Sequence, residues 1–95
     1  VTINSDTKIG GHCIINTNAS VDHDCVIGNF THISPNVALC GGVSIGEGTH
    51  IGAGAVIIPS VNIGNWCIIG AGSVILNDIP DYTTIVGNPG RIIKQ

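Results

Sequence analysis

The sequence predicts an all-β fold, a parallel β-helix of hexapeptide repeats, and three observations carry that prediction. Every sixth residue from Ile3 to Ile75 is Ile, Val or Leu, thirteen times in succession. The position four residues after each of these is small or β-branched at all twelve places from Thr7 to Ser73. The position directly after the aliphatic is glycine in six repeats, at Gly10, Gly28, Gly46, Gly52, Gly64 and Gly70. A period of six is neither helical periodicity nor plain strand alternation. It fits short strands joined by tight corners, each sending one large side chain inward, as in hexapeptide β-helices. A β-sandwich would need longer strands with two-residue alternation.

Taken in chain order, Ile3, Ile9 and Ile15 mark the first coil, and Val21, Ile27 and Ile33 the second. Leu39, Ile45 and Ile51 mark the third, Ile57, Ile63 and Ile69 the fourth, and Ile75 begins a fifth. With three hexads per coil, residues eighteen apart become vertical neighbours, about 4.8 Å from one another. Residues 3–80 then form a little over four coils, roughly 20 Å tall. The glycines after the aliphatic column, with Asn4, Asn16 and Asp22, are residues that tolerate left-handed backbone and suit the corners. The repeat is expected to end at Pro80, giving a β-helix over 1–80 and a tail over 81–95. In the tail, Gly87-Asn88-Pro89-Gly90 is a strong turn signal. It should fold the chain end back over the last coil or along a neighbour. A chain of 95 residues buries only about 60–65% of its unfolded surface. Repeat folds also need covered ends, so packing against sister chains is expected.

Composition excludes several classes. Charged residues make up 9% against 43% hydrophobic, which is the reverse of a disordered chain. Lys8, Arg91 and Lys94 are the only cations and the net charge is −3, so a nucleic-acid partner is not expected. No apolar run is long enough to span a bilayer, and no membrane partner is expected. A sequence that opens at Val1 and contains no Met reads as a piece of a longer protein.

Cys13, Cys25 and Cys67 fall in the small inward column, where they read as core filler. Cys13 and Cys67 share a side of the prism but stand three coils, about 14 Å, apart, beyond disulfide reach. Free thiols suit a reducing cytoplasm. Cys40 is off the column and is the one candidate for reactivity. Among the histidines, His32 and His50 are eighteen apart and should stack, while His12 shares a column with Phe30, Gly48 and Trp66. His23 lies in Asp22-His23-Asp24, half a coil from His32. Within one prism those two histidines occupy different sides and can meet only across a subunit boundary. A histidine between carboxylates is equipped as a general base, because Asp24 or Asp22 can hold its tautomer and stabilise the imidazolium. A solvated corner turn is the other reading of the same triplet.

The hexads from IGEGTHIGAG to IVGNPGRIIK resemble the left-handed β-helix acyltransferases. The stretch NTNASVDHDCVIGNFTHISPNVALCGG, with DHDC and THIS nine residues apart, is more particular. It resembles bacterial sugar acyltransferases of the sialic-acid O-acetyltransferase type and their relatives that N-acetylate a UDP-linked 4-amino sugar. The resemblance implies a single-stranded left-handed parallel β-helix, although the usual crossover rule favours the right hand. It implies acetyl-CoA as co-substrate, no metal, and a sugar or nucleotide-sugar acceptor taking the acetyl on nitrogen or oxygen. Carried over by position, His23 is the catalytic base and Asp24 aligns it. His32 contacts the acetyl carbonyl, and Asn16 lies near the acceptor sugar. Gly41, Ala53 and Ala71 line the acetyl-CoA groove, and Arg91 and Lys94 approach its phosphates. The resemblance further implies a homotrimer with its sites between subunits, and an N-terminal nucleotide-sugar-binding domain that has no counterpart here. Two other functions are weighed. A γ-type carbonic anhydrase needs three imidazoles, two of them close on one strand, and the histidine spacings of 11, 9 and 18 fit poorly. A trimeric scaffold without chemistry needs none of these residues.

Overall fold

The computed structural model describes residues 2–3 and 5–94. Each hexad contributes its aliphatic residue and the one before it to a strand, and its other four residues to a corner. Among the described residues the strands run β1 (Thr2–Ile3), β2 (Lys8–Ile9), β3 (Ile14–Ile15), β4 (Ser20–Val21), β5 (Val26–Ile27), β6 (His32–Ile33) and β7 (Ala38–Leu39). They continue as β8 (Ser44–Ile45), β9 (His50–Ile51), β10 (Val56–Ile57), β11 (Asn62–Ile63), β12 (Ile68–Ile69), β13 (Val74–Ile75), β14 (Thr84–Val86) and β15 (Arg91–Lys94). Up to β13, every third strand stacks in parallel on the last. The first sheet is β1-β4-β7-β10-β13, the second β2-β5-β8-β11, and the third β3-β6-β9-β12-β14-β15. Ser20 opposes Ala38 and His32 opposes His50, so eighteen residues make one coil.

The aliphatic column is the core. From Val21 to Ile75 each of its members is almost fully buried. The first coil is more open, with Ile3 46% and Ile9 37% exposed, because among the described residues no coil packs beneath it. The small column does more than fill space. Its hydroxyls and thiols donate to the carbonyl fifteen residues on: Thr7 to Asp22 at 2.8 Å, Cys13 to Gly28 at 3.1 Å, Cys25 to Cys40 at 3.2 Å, Thr31 to Gly46 at 3.0 Å and Thr49 to Gly64 at 2.7 Å. Cysteine and threonine therefore alternate as donors in one role. Burial pushes the Cys25 thiol above its ordinary pKa, which keeps it protonated and able to donate. All four cysteines are free.

The corners differ from expectation. Left-handed backbone falls three residues after the aliphatic, at Asp6, His12, Asn18, Asp24, Phe30, Asn36, Ser60 and Trp66, with Gly42, Gly48, Gly54 and Gly72 completing the column. Gly10, Gly28, Gly46, Gly52, Gly64 and Gly70 are not left-handed, nor are Asn16 and Asp22, and Asn4 lies outside the described residues. The reason for glycine there is contact between coils. A Cβ on Gly28 would stand 2.7 Å from the Glu47 amide nitrogen, and one on Gly52 would stand 2.6 Å from that of Ala71. At the corner between the second and third sheets, His12 and Phe30 stack with ring centroids 5.2 Å apart.

The coil does not stop at Pro80. After Ile75 the corner is two residues short, and Ile63 bridges Ile79 rather than a residue eighteen on. Ile69 then pairs with Ile85. The thiol pattern shortens with it, since Cys67 donates to Pro80 at 3.1 Å. Thr83 and Ile85 are buried, so β14 is a further rung of the third sheet. The chain then turns back, and β15 pairs antiparallel with β14. These rungs help to lengthen the long axis to 33 Å, beyond the expected height.

Candidate active site

The corner from the first sheet to the second stacks residues 22–24, 40–42 and 58–60 on three successive coils. It forms an open cleft of about 530 Å³ lined by Asp22, His23, Asp24, Cys40, Gly41, Gly42, Pro59 and Ser60. The backbone is pinned at each level. The Asp22 N–H donates to the Leu39 carbonyl at 2.9 Å, Gly42 N–H to the His23 carbonyl at 3.0 Å, and Ser60 N–H to the Gly41 carbonyl at 3.0 Å.

The two carboxylates have separate tasks. Asp22 Oδ1 accepts the His23 backbone N–H at 2.7 Å, which fixes the turn. Asp24, at φ 58°, brings its Oδ2 to 3.2 Å from His23 Nδ1. An ionised carboxylate only accepts, so this contact places the proton on Nδ1 and leaves Nε2 with a free lone pair. The ring and its carboxylate are 60% and 65% exposed, so solvent or a ligand can reach both.

Gly41 lies one coil above His23, and the imidazole leans over it. Cys40, the one candidate for a reactive thiol, lines the same cleft. Pro59 and Ser60 were not foreseen, yet adding two coils to positions 23 and 24 reaches them. That arithmetic was the available signal.

The remaining predicted residues lie elsewhere on the prism. On the outward face of the third sheet, Asn16 Nδ2 donates to His32 Nε2 at 3.0 Å, which leaves the proton of that ring on Nδ1. The His32 and His50 rings are tilted by 52° with centroids 4.5 Å apart, and His50 Nε2 lies 3.3 Å from Ser34 Oγ. Burial, and then the nearby His32, lowers the His50 pKa below the ordinary histidine value. Ala53 and Ala71 are exposed vertical neighbours at the corner leading from the third sheet to the first, joined by the Gly72 N–H donating to the Ala53 carbonyl at 2.8 Å. Arg91 and Lys94 are exposed on β15, at the far edge of the third sheet. One chain thus brings together His23, Asp24 and Gly41, and separately Asn16 and His32. The two groups lie on different sides, as half a coil requires. Among the described residues no three His, Cys, Asp or Glu side chains are placed to hold a metal, and no helix is long and apolar enough to cross a membrane.

Residues 24–58 and 42–77 match the family model for the bacterial transferase hexapeptide of six repeats. No curated protein sequence matches the chain. Among solved structures, PerB from Caulobacter crescentus, in complex with CoA and GDP-perosamine, is 50% identical over 95% of this chain and 44% of its own, with a TM-score of 0.94. The acetyltransferase domain of PglB from Neisseria gonorrhoeae, in complex with acetyl coenzyme A, is 36% identical over 97% of this chain and 54% of its own, with a TM-score of 0.89. Soybean serine acetyltransferase is 39% identical over 96% of this chain and 42% of its own, with a TM-score of 0.91. These matches set the fold in the left-handed β-helix class of acyltransferases, against the right-handed crossover rule. The chain spans less than half the length of the perosamine enzyme.

Proposed function

The chain belongs to the bacterial transferase hexapeptide family, and we propose that it transfers acetyl from acetyl-CoA to the amine of a nucleotide-linked amino sugar. The observation that carries this reading is the His23 imidazole, oriented by Asp24 through Nδ1 and open at Nε2 over a cleft. The complexes of the relatives with CoA and GDP-perosamine support the choice of substrates.

In the reaction, the acceptor nitrogen attacks the thioester carbonyl while His23 Nε2 takes its proton. A nitrogen–carbon bond forms and the carbon–sulfur bond breaks. The imidazolium, stabilised by the Asp24 carboxylate, returns the proton to the departing CoA thiolate. His32 Nδ1–H is the donor available to the carbonyl oxygen as negative charge grows there. His23 and His32 lie on different sides of one prism, so this step brings His32 and Asn16 from a neighbouring copy, with Asn16 close to the acceptor sugar. A homotrimer with sites between subunits satisfies that requirement. Gly41, Ala53 and Ala71 line the acetyl-CoA groove in this assembly, and Arg91 and Lys94 supply positive charge to the CoA phosphates. We place the protein in the cytoplasm, where acetyl-CoA is available and the four free thiols stay reduced.

A hydroxyl acceptor is the second reading, favoured by the match to serine acetyltransferase. The discriminating experiment incubates the chain with acetyl-CoA and GDP-perosamine, or with serine, and follows free CoA thiol and the mass of the acceptor. Thiol release with acetylated sugar is expected. Acetylated serine alone would move the acceptor to oxygen, and no binding of acetyl-CoA at all would leave a scaffold.

A further inference from the structure

The geometry points to Gly41 as the positioning residue of the His23 imidazole: the missing side chain at 41 is the seat of the ring. This rests on the reading of His23 as the base and adds to it a role for a neighbour that touches no substrate in that role.

A Cβ built on Gly41 would stand 2.8 Å from His23 Cε1, 2.8 Å from Nε2 and 3.4 Å from Nδ1. These three ring atoms are its nearest neighbours. The contrast with other glycines is direct. Gly28, Gly46 and Gly52 are excluded from bearing a side chain mainly by atoms of the next coil's backbone or corner. Gly42, the next residue, has φ 72°, a conformation that favours glycine. Gly41 has neither constraint, because its φ lies outside the left-handed region and no backbone atom of another coil crowds it. The same column carries Thr17, Asn29, Glu47 and Ala53 on other corners, so the lattice accepts side chains there. What a side chain at 41 would meet first is the ring.

The ring is 60% exposed and can swing outward, so an added methyl displaces it with little strain in the prism. Displacement takes Nδ1 away from Asp24 Oδ2 and Nε2 away from its place over the cleft. A general base loses its contribution when it is moved by about an ångström, which can cost about 100-fold in rate.

The test is a double-mutant cycle of Gly41→Ala and His23→Ala in the intact chain, read by acetyl-transfer rate, acetyl-CoA binding, melting, and the His23 Cε1–H proton resonance, identified by its loss in His23→Ala. Gly41→Ala alone should shift that resonance without ligand present and lower kcat about 100-fold. In the His23→Ala background, Gly41→Ala should leave melting unchanged and lower the residual rate far less than it does in wild type, because the ring it displaces is gone. An unshifted resonance overturns the inference. So does a loss of rate in the His23→Ala background as large as that in wild type, which would make the groove contact and not the ring the reason for glycine. If Gly41→Ala moves the resonance but His23→Ala turns over like wild type, the seat stands and the base assignment fails.

Discussion

The corner at 22–24 and the outward face of the third sheet both present imidazoles, and they surround them with opposite chemistry. His23 has a carboxylate on Nδ1 and an open Nε2. His32 already uses Nε2 to accept from the Asn16 amide, and the His50 ring lies tilted against His32 with a hydroxyl beside it. Burial and then the neighbouring His32 disfavour the charged form of His50. By hydrogen bonding, the first centre therefore offers an accepting Nε2 and the second a donor at His32 Nδ1. The partner of each ring, more than the residue type, separates an accepting nitrogen from a donating one.

The largest effect comes from removing what both centres share. Ile45 is 1% exposed in the core beneath them, and Ile45→Asp buries an unpaired charge. Such a change costs more than about 4 kcal/mol, and the cooperative melt followed by circular dichroism should disappear. A soluble product that melts normally would break the register itself. Next, Asp24→Asn keeps the shape of the first centre but removes its charge. Transfer should fall roughly ten- to hundredfold with the melting temperature unchanged, and an unaltered rate would show that the ring needs no carboxylate.

The second centre is expected to respond less. Asn16→Ala frees His32 Nε2, and loss of one hydrogen bond should reduce the rate between about twofold and tenfold. A loss as large as that at Asp24 would make the two centres equivalent. The smallest effect is on stability. Because the His50 pKa is lowered by folding, both states are neutral above the ordinary histidine value of about 6.5, and the full stability is present there. As pH falls through that value the unfolded chain takes up its proton first, so stability declines until the folded value is passed. Melting temperatures across this window should drop in wild type and drop less in His50→Gln. Identical slopes would remove His50 as the cause.

The prism was legible from Ile3 to Ile75 because one inward aliphatic per rung is all that the core demands, and that demand recurs at fixed spacing. The stacking of His32 on His50 and the separation of His23 from His32 followed from the same arithmetic. The corners were less legible because glycine answers two needs. Gly10 and its column avoid the next coil, while the left-handed position two residues further on is filled by Asp24, Phe30 and Trp66 as well as by glycine. The end of the repeat was misplaced because one short corner shifts the phase by two, after which Ile79 and Ile85 still point inward. The division of labour between Asp22 and Asp24 and the seat at Gly41 depend on side-chain direction, which residue spacing does not encode.

The most direct test of the account is the acetyl-transfer rate of His23→Ala beside wild type, with acetyl-CoA and GDP-perosamine, on protein whose melting is shown to be unchanged. The account predicts a loss of about 100-fold or more, the worth of a positioned general base. A variant that turns over within about twofold of wild type would contradict it.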